Sequence, residues 1–329
     1  MSRYDKLIAG IKQNNFLVVG RAGMDFFPDP PGTKTEEAVD FKSGLGGSAA
    51  NTAAGICKFG GKADLVTSVS DDSIGRYCTN QLDYYGVGRS HVKPVGGEYR
   101  NSLAVYESRV ADHQTVIYRN GAADFQMEKS DVETVDYASY GALITAGTVF
   151  AAEPSRSAAF HAFDLAAKAG LPIIFDVDYR PYSWPSPDVA EDVLSRAADC
   201  CDMIVGNDEE FGFMAGGIEK GLAKARSLSE KNGALVIYKK GPDGATTFAD
   251  GVEINTGVYT VEALKPTGAG DSFMAGLMAA LAADHDLEPA ILRASACAAI
   301  TVTKPGCAPA MPDLAILEEF LSTHPGPSR

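Results

Sequence analysis

A glycine-rich segment near the carboxyl-terminal end of the chain could carry chemistry. Residues 265–273 read KPTGAGDSF and lead directly into an apolar helical pattern, MAGLMAALAA. Glycines before a helix leave backbone N–H groups free to point at one spot, and the helix dipole favours negative charge there. The N–H groups of Gly268, Ala269, Gly270 and Asp271 therefore predict a binding site for a phosphate group.

Asp271 lies in the first turn of this predicted helix, where a carboxylate has two common roles. It can cap the helix, or, if it faces a cleft, it can accept a proton from a substrate hydroxyl. A cap is the more frequent role in a loop of this kind, so the segment by itself leaves both interpretations open. The other motifs of the chain bear on the choice.

Two segments together resemble the signatures of the PfkB, or ribokinase-like, carbohydrate kinases. KPTGAGDSFMAGL resembles the C-terminal signature, and GLGGSAANTA at residues 44–53 resembles the N-terminal one. The resemblance extends from about Phe16 to Ala308. It implies an α/β fold with a mainly parallel central sheet flanked by helices and a small β-sheet as a lid. It also implies ATP-dependent phosphorylation of a hydroxyl, with Asp271 as the catalytic base.

The resemblance implies that the first signature holds the substrate. Gly46, Gly47 and Asn51 would contact substrate hydroxyls, together with Asp25. Glycine lets a ligand approach the backbone closely, and Asn and Asp side chains supply donors and acceptors for neighbouring hydroxyls. Without the resemblance, the glycines predict only a turn before a helix, and Asn51 a cap.

The segment GNDEEF contains Asn207 and Glu210, which resemble the family's N-x-x-E motif. The resemblance implies that this motif orders Mg²⁺ near the ATP phosphates, and hard oxygen ligands suit that ion. Taken alone, the same spacing predicts a helix cap and a first-turn acid.

Three residues of YKKGPDGA, namely Lys239, Gly241 and Gly244, resemble the family's strand and turn along the nucleotide. Ser295 lies in a helical segment, SACAAITVTKPG, that resembles the one beside the adenine. Small residues in a core helix need no ligand to explain them, so this second assignment has a purely structural alternative.

Two arginine motifs indicate the substrate class. DVDYRPYSW at 176–184 and VIYRNGAAD at 116–124 resemble motifs of kinases acting on keto-deoxy sugar acids. The implied substrate is 5-dehydro-2-deoxygluconate of inositol catabolism, with 2-keto-3-deoxygluconate and fructose as alternatives. Arg119 and Arg180 fit, because a guanidinium binds a carboxylate through two parallel hydrogen bonds. Arg180 could instead bind ATP phosphates, and either arginine could form only a surface ion pair.

Lys265 and Pro266 depart from the family pattern, which usually has Asp-Thr near a position associated with a monovalent cation. The ammonium group of Lys265 could supply that positive charge, or it could point into solvent.

The elements that must position these residues follow from the apolar pattern. Short apolar runs begin at residues 16, 142, 172, 203 and 235, and amphipathic stretches such as 155–170 and 189–200 lie between them. This alternation predicts βαβ units and a parallel sheet. Residues 24–43 and 97–124 break the rhythm and predict a small β-sheet, either a lid over the site or an edge extension. We expect one kinase domain over residues 1–329.

The composition limits the partners. A net charge of −14 disfavours nucleic acid and anionic membranes. No apolar run approaches the roughly 18 residues that span a bilayer, and no signal peptide is evident, so we expect a cytoplasmic protein. Neither the six cysteines nor the five histidines show zinc-ligand spacing. The expected partners are ATP, Mg²⁺ and a sugar acid, and the resemblance allows a homodimer through the lid.

Other functions are conceivable from the same residues. Gly44, Gly46 and Ala49 match the dinucleotide pattern G-x-G-x-x-A of NAD-binding dehydrogenases, although a polar segment precedes them. No P-loop pattern occurs. A sugar-binding protein without activity is a further alternative, because a fold alone does not imply catalysis.

Overall fold

Thirteen strands and eleven helices make up the computed structural model, which describes residues 2–324, 326 and 327. The strands are β1 (Asn15–Val19), β2 (Gly23–Asp29), β3 (Asp40–Gly46), β4 (Lys62–Ser70), β5 (Gly88–Val95), β6 (Leu103–Tyr106), β7 (Thr115–Tyr118), β8 (Ala142–Ala146), β9 (Ile173–Asp176), β10 (Met203–Asn207), β11 (Leu235–Lys239), β12 (Ala245–Ala249) and β13 (Val252–Thr256). The helices are α1 (Arg3–Ile11), α2 (Ser48–Lys58), α3 (Ser73–Tyr85), α4 (Lys129–Glu133), α5 (Ser155–Ala169), α6 (Pro187–Cys200), α7 (Asp208–Met214), α8 (Gly221–Asn232), α9 (Ala269–Ala282), α10 (Leu287–Val302) and α11 (Leu314–Thr323).

The central sheet has nine strands in the order β13-β12-β11-β10-β9-β8-β1-β4-β5. The strands from β11 to β5 are parallel to one another, and β12 and β13 join antiparallel at one edge. The predicted mainly parallel sheet is therefore confirmed, and each predicted apolar run forms one of its strands.

Helices cover both faces of this sheet, because alternate residues of each strand point to opposite sides. In β1, Leu17 and Val19 belong to one hydrophobic core, whereas Phe16 and Val18 belong to the other. Helices α5 and α6 pack on the first face, and α2, α9 and α10 pack on the second. The predicted helices at 155–170 and 189–200 are confirmed as α5 and α6. Helix α6 begins earlier, at Pro187, since Ser186 caps it and proline suits its first turn.

A second sheet, called the small sheet below, contains four strands in the order β3-β2-β6-β7. Strands β2 and β3 pair antiparallel, as do β6 and β7, and β2 runs parallel to β6. The two segments that break the βαβ rhythm, 24–43 and 97–124, supply its strands as predicted. Their function as a lid stays a prediction.

The dehydrogenase alternative is wrong for a structural reason. Gly44 and Gly46 lie within strand β3 of the small sheet, paired antiparallel with β2. A dinucleotide fingerprint must instead connect the first strand of a βαβ unit to its helix. Among the described residues, no helix is long and apolar enough to cross a membrane.

Candidate active site

A cleft of about 640 Å³ lies where the ends of β9, β10 and β11 meet the small sheet. Residues far apart in the sequence line this main cleft, as expected at the carboxyl edge of a parallel sheet. The predicted residues among them are Asp25, Gly47, Asn51, Arg119, Arg180, Asn207, Glu210, Lys239, Gly241, Gly268, Ala269, Gly270 and Asp271.

The loop before α9 presents the predicted anion-binding N–H groups to the main cleft. Gly268 is the N-cap residue in the left-handed region, with φ of 83°, and no side chain caps the helix. A Cβ atom on Gly268 would lie 3.2 Å from the Cα of Cys307 in addition to being strained by that φ. The uncapped N–H groups of the first turn therefore stay available to an anion.

Asp271 is the third residue of α9, and its carboxylate does not cap the helix. Its Oδ2 instead accepts a hydrogen bond of 2.9 Å from Nδ2 of Asn51. The interpretation of Asp271 as a cap is thus wrong. Burial, reinforced by the charge of Asp178, raises the pKa of Asp271 to about 7, against the opposing bond from Asn51. A base that titrates near neutral pH is suited to proton transfer.

Asp25 and Asn51 carry acceptors that the protein itself leaves unused. Oδ1 of each is buried and has no hydrogen-bond partner in the described part of the chain. Burial is also the main reason that the pKa of Asp25 rises to about 7, with Arg21 opposing and Asp271 adding to the shift. Buried acceptors without donors are costly, so hydroxyl groups of a ligand would stabilise this arrangement.

Gly46 does not line the main cleft, which corrects the predicted contact with substrate. A Cβ atom on Gly46 would lie 2.0 Å from Oδ1 of Asp25. Gly46 therefore leaves room for the Asp25 side chain. Gly47, with φ of 98°, does line the cleft and packs against the backbone of Arg21.

Asp176 and Asp178 also line the main cleft, although the sequence indicated a role only for Arg180 in this motif. Asp178 has a left-handed φ of 36°, a strained geometry of the kind found at functional sites. Its Oδ1 lies 2.7 Å from Nη2 of Arg180, and its Oδ2 accepts a 2.7 Å hydrogen bond from Ser48. Burial would raise the pKa of Asp178, but Arg180 and Ser48 outweigh it and lower that pKa.

Asn207 and Glu210 form the capping box of α7. Oδ1 of Asn207 accepts from the N–H of Glu210, and Oε2 of Glu210 accepts from the N–H of Asn207, both at 2.8 Å. The capping interpretation is confirmed, and both residues also line the main cleft. Burial raises the pKa of Glu210. Burial also raises the pKa of Asp176 to about 7, a shift that the positive charge of Lys239 opposes and the negative charge of Glu210 increases.

The carboxylate oxygens near Glu210 fit a metal ion that is bound partly by the protein and partly by water and substrate phosphates. In residues 2–324, 326 and 327, no group of three or more His, Cys, Asp or Glu could enclose a metal ion. Mg²⁺ commonly binds through one or two carboxylates and completes its shell with water and substrate phosphates. Glu210 and the neighbouring Asp176 supply oxygens of that kind.

A smaller cavity of about 180 Å³, called the side cavity below, shares Lys239, Gly241, Ala269 and Gly270 with the main cleft. Its other lining residues are mostly small or apolar: Gly244, Ala245, Thr256, Gly257, Val258, Phe273, Ile291, Ser295 and Ala298. The structure places the predicted Gly244 and Ser295 here, outside the main cleft.

Lys239 and Gly244 are two of the residues that line the side cavity, and Lys239 lies where it meets the main cleft. Nζ of Lys239 lies 5.6 Å from the centre of the Phe273 ring, beside the loop of Gly270. A Cβ atom on Gly244 would lie 1.9 Å from the carbonyl oxygen of Thr256, so only glycine fits.

Lys265 is fully buried, with 0% of its surface exposed. Its ammonium group donates hydrogen bonds to the carbonyl oxygens of Thr267 and, at 3.4 Å, Thr301. Burial lowers the pKa of Lys265. The alternative in which this side chain points into solvent is therefore wrong, and the lysine connects the loop before α9 to α10.

The two predicted arginines are both at the main cleft. Arg119 is 6% exposed, and its Nε and Nη2 donate to Oδ2 of Asp124 at 3.1 and 2.5 Å. The Arg180 side chain is 46% exposed and pairs with Asp178. Arg21 and Tyr106 line the cleft as well, and neither was predicted from the sequence. Arg21 lies in a short turn after β1, where no motif or periodicity indicates a role.

Comparison with known proteins identifies the family. The model for "pfkB family carbohydrate kinase" matches residues 13–314. The 5-dehydro-2-deoxygluconokinase of Photobacterium profundum is 34% identical over 313 residues, covering 94% of this chain and 95% of the relative. The enzyme of the same name from Geobacillus kaustophilus is 33% identical over 318 residues, covering 95% of each chain.

A solved structure agrees with this match. A fructokinase double mutant from Vibrio cholerae O395, bound to fructose, ADP and a potassium ion, superposes with a TM-score of 0.80 at 25% identity. The superposition covers 93% of this chain and 98% of the fructokinase. With nearly the whole chain matched by the family model, this protein belongs to the pfkB family of carbohydrate kinases, enzymes that transfer a phosphoryl group to a hydroxyl group of a carbohydrate.

Proposed function

We propose that this kinase transfers the γ-phosphoryl group of ATP to a hydroxyl of a keto-deoxy sugar acid, with 5-dehydro-2-deoxygluconate as the preferred acceptor. The observation that carries the proposal is the buried guanidinium group of Arg119, which lines the same cleft as Asp271 and has at Nη1 a donor unused by the described residues. A substrate carboxylate would accept a charge-assisted hydrogen bond from that donor, which is stronger than the bond a neutral hydroxyl could accept. The two relatives reported above are named for this acid.

Asp271 would take the proton from the attacking hydroxyl. The free N–H groups of Gly268 to Gly270 would stabilise the charge that develops on the phosphoryl oxygens, aided by the ammonium group of Lys239. Asp25 and Asn51 would accept hydrogen bonds from other substrate hydroxyls through their unused oxygens. Phosphoryl transfer depends mainly on this positioning and on electrostatics.

ATP would lie with its base in the side cavity and its phosphates at the loop before α9. The walls there are apolar, and Gly244 lets the chain pass close to the ligand. Glu210, with Asp176 beside it, would hold Mg²⁺, which when bound neutralises phosphate charge. Arg180, paired with Asp178 and near Glu210, is placed to meet the phosphates.

The substrate assignment predicts a clear order of preference. We expect kcat/KM for 5-dehydro-2-deoxygluconate to exceed that for 2-keto-3-deoxygluconate, fructose and ribose. Fructose and ribose lack the carboxylate, and the two relatives reported above are named for the 5-dehydro-2-deoxy acid and not for its isomer. Steady-state assays with saturating ATP and Mg²⁺ measure this. A neutral sugar as the best substrate would show that the sugar-acid assignment is wrong.

The small sheet offers a surface for a homodimer, which we include in the proposal. On the face away from Asp25, the sheet carries Phe26, Val105 and Val116 in register, with Tyr118 two residues further along β7 on the same face. Val116 and Tyr118 are 43% and 64% exposed, unusual for apolar side chains in a strand.

We expect sedimentation velocity to show a dimer for the native chain. Substituting both Val116 and Tyr118 with Lys should give a monomer, since opposed ammonium groups would face each other across the two-fold axis. The pair Val252→Lys with Leu314→Lys, at exposed sites outside the small sheet, is the control and should leave the dimer intact. A monomeric native chain would refute the dimer.

A further inference from the structure

Arg21 is a buried cation that the fold leaves without a direct ion pair. It follows β1 at the carboxyl end of a central strand, is 6% exposed and lines the main cleft. Within residues 2–324, 326 and 327, no carboxylate oxygen lies within 4.0 Å of its guanidinium group, the limit for an ion pair. Its one side-chain hydrogen bond in that range runs from Nη1 to Oγ of Ser102, at 2.8 Å. Burial alone would lower the pKa of Arg21, but Tyr106 and the more distant carboxylates of Asp25 and Asp124 outweigh it and raise that pKa. The guanidinium group therefore stays charged at the cleft, with donors that a ligand can use.

Neighbouring residues hold the Arg21 side chain in a narrow slot. A Cβ atom on Gly23 would lie 2.6 Å from Nη1 of Arg21 and 2.8 Å from Oγ of Ser102, so the slot requires glycine there. The carbonyl oxygen of Arg21 accepts the N–H of Ala50 in α2, and Gly47 packs against the same carbonyl. The backbone and one nitrogen are thereby fixed, while the remaining N–H groups of the guanidinium have no protein partner in the described part of the chain.

Arg119 is a second buried guanidinium group at the main cleft with an unused donor. Its Nη1 is buried without a partner among the described residues, because Asp124 uses only Nε and Nη2. Burial lowers the pKa of Arg119, and repulsion from Arg21 lowers it further, against the attraction of Asp124. Both guanidinium groups line the main cleft and have unused donors, and among the described residues only Arg119 has a carboxylate within ion-pair distance.

The position of this pair suits the far end of the substrate. A gluconate-type chain has its carboxylate at one end and a terminal hydroxyl at the other, so the carboxylate must lie away from the base when that hydroxyl reaches it. Arg21 is hydrogen-bonded to Ser102 beside β6 and Arg119 directly follows β7, so both lie at the small-sheet side of the main cleft, whereas Asp271 lies in α9. Arg180 is paired with Asp178 and belongs to the phosphate side.

We propose that Arg21, together with Arg119, binds the substrate carboxylate and is a specificity-determining residue for acids over neutral sugars. The proposal rests on the proposed function and deepens it. The carboxylate would accept hydrogen bonds from the N–H groups of Arg21 and from Nη1 of Arg119, which would give Arg21 a direct ion pair and satisfy the buried donor of Arg119.

The test compares 5-dehydro-2-deoxygluconate with its primary amide, which keeps the length and the hydroxyls but lacks the charge. In Arg21→Gln we expect kcat/KM for the acid to fall at least about tenfold, as expected for loss of a charge-assisted hydrogen bond. The value for the amide should change less than about threefold, within the range of a neutral contact. We also expect the acid to raise the Tm of the native protein and to lose most of that shift in the variant.

Arg100→Gln is the matched control, because it removes one positive charge near the small sheet from a side chain that is 66% exposed. This variant should leave unchanged the ratio of kcat/KM for the acid to kcat/KM for the amide. Equal losses on acid and amide in Arg21→Gln would overturn the role of Arg21 while leaving the kinase reaction intact. A native enzyme that does not prefer the acid would instead refute the proposed function. If Arg21→Gln fails to fold, Arg21→Lys is the deciding variant. Lysine lacks the planar guanidinium group, so kcat/KM for the acid should still fall more than kcat/KM for the amide.

Discussion

Asp271→Asn is expected to lower turnover at least about a hundredfold, because removing a general base typically costs about 10² to 10⁴ in rate. The amide keeps the shape of the side chain, and its oxygen can still accept the hydrogen bond that Asn51 donates. ATP should bind as in the native protein, since the N–H groups of Gly268 to Gly270 are untouched. Single-turnover assays and ATP titrations separate the chemical step from binding.

The pH profile gives this prediction a direction. The pKa of Asp271 is raised to about 7, and the ionised form is the active base, so kcat/KM should fall as the pH drops below about 7. The free energy of unfolding depends on pH in the opposite direction. A carboxyl group whose folded pKa lies above its unfolded value of about 3.9 destabilises the fold progressively as the pH rises between the two values. Asp271→Asn should therefore be no less stable than the native protein at pH 8.

A true helix cap provides the control. Asp313 caps α11 by accepting the N–H of Ile316, and it lies outside both cavities. Asp313→Ala should cost about 1 kcal/mol of stability and leave turnover unchanged. Near-normal turnover in Asp271→Asn would mean that the base lies elsewhere.

Lys265→Ala is expected to lower activity at least about tenfold and to make it responsive to potassium. The native ammonium group holds the carbonyl oxygens of Thr267 and Thr301, and hydrogen bonds to a charged group contribute about 1.5 to 3 kcal/mol each. Without it, the loop that presents Gly268 loses its side-chain connection to α10 and keeps the backbone hydrogen bonds of Leu264 and Lys265 to Val302. The vacated space would be lined by the carbonyl oxygens of Thr267 and Thr301, which are ligands suited to a monovalent cation.

Assays at constant ionic strength test this with potassium, ammonium or tetramethylammonium as the cation. The native protein should be indifferent to the choice, because Lys265 already supplies the charge. Lys265→Ala should recover part of its activity in potassium or ammonium but not in tetramethylammonium. Lys304→Ala, an exposed lysine of the neighbouring segment, is the control and should behave like the native protein. Strong potassium activation of the native protein would contradict this account of Lys265.

The sheet and its helices could be predicted because their signal is local. Runs such as FLVVG and PIIFDVD are apolar throughout, as strands buried on both faces must be. The loop at Gly268 could be predicted equally well, since glycines directly before a helix indicate an anion-binding site. The strands from 24–43 and 97–124 followed from the break in the βαβ rhythm.

The contacts that define the site could not be predicted from local patterns. Asn51 and Asp271 are 220 positions apart in the chain and meet only in the fold. The buried state of Lys265 is also a tertiary property, because a lysine in a Pro-Gly loop is normally exposed. The left-handed φ of Asp178 is imposed by the surrounding structure against its local preference.

The central claim is that this cleft phosphorylates a sugar acid, and a competition assay tests it most directly. Limiting ATP is supplied with equal concentrations of 5-dehydro-2-deoxygluconate, 2-keto-3-deoxygluconate, fructose and ribose, and the phosphorylated products are separated by chromatography against standards, because the two acids are isomers of equal mass. Their initial ratio equals the ratio of the kcat/KM values. We expect the phosphate of 5-dehydro-2-deoxygluconate to dominate, whereas a mixture dominated by fructose or ribose phosphate would contradict the claim.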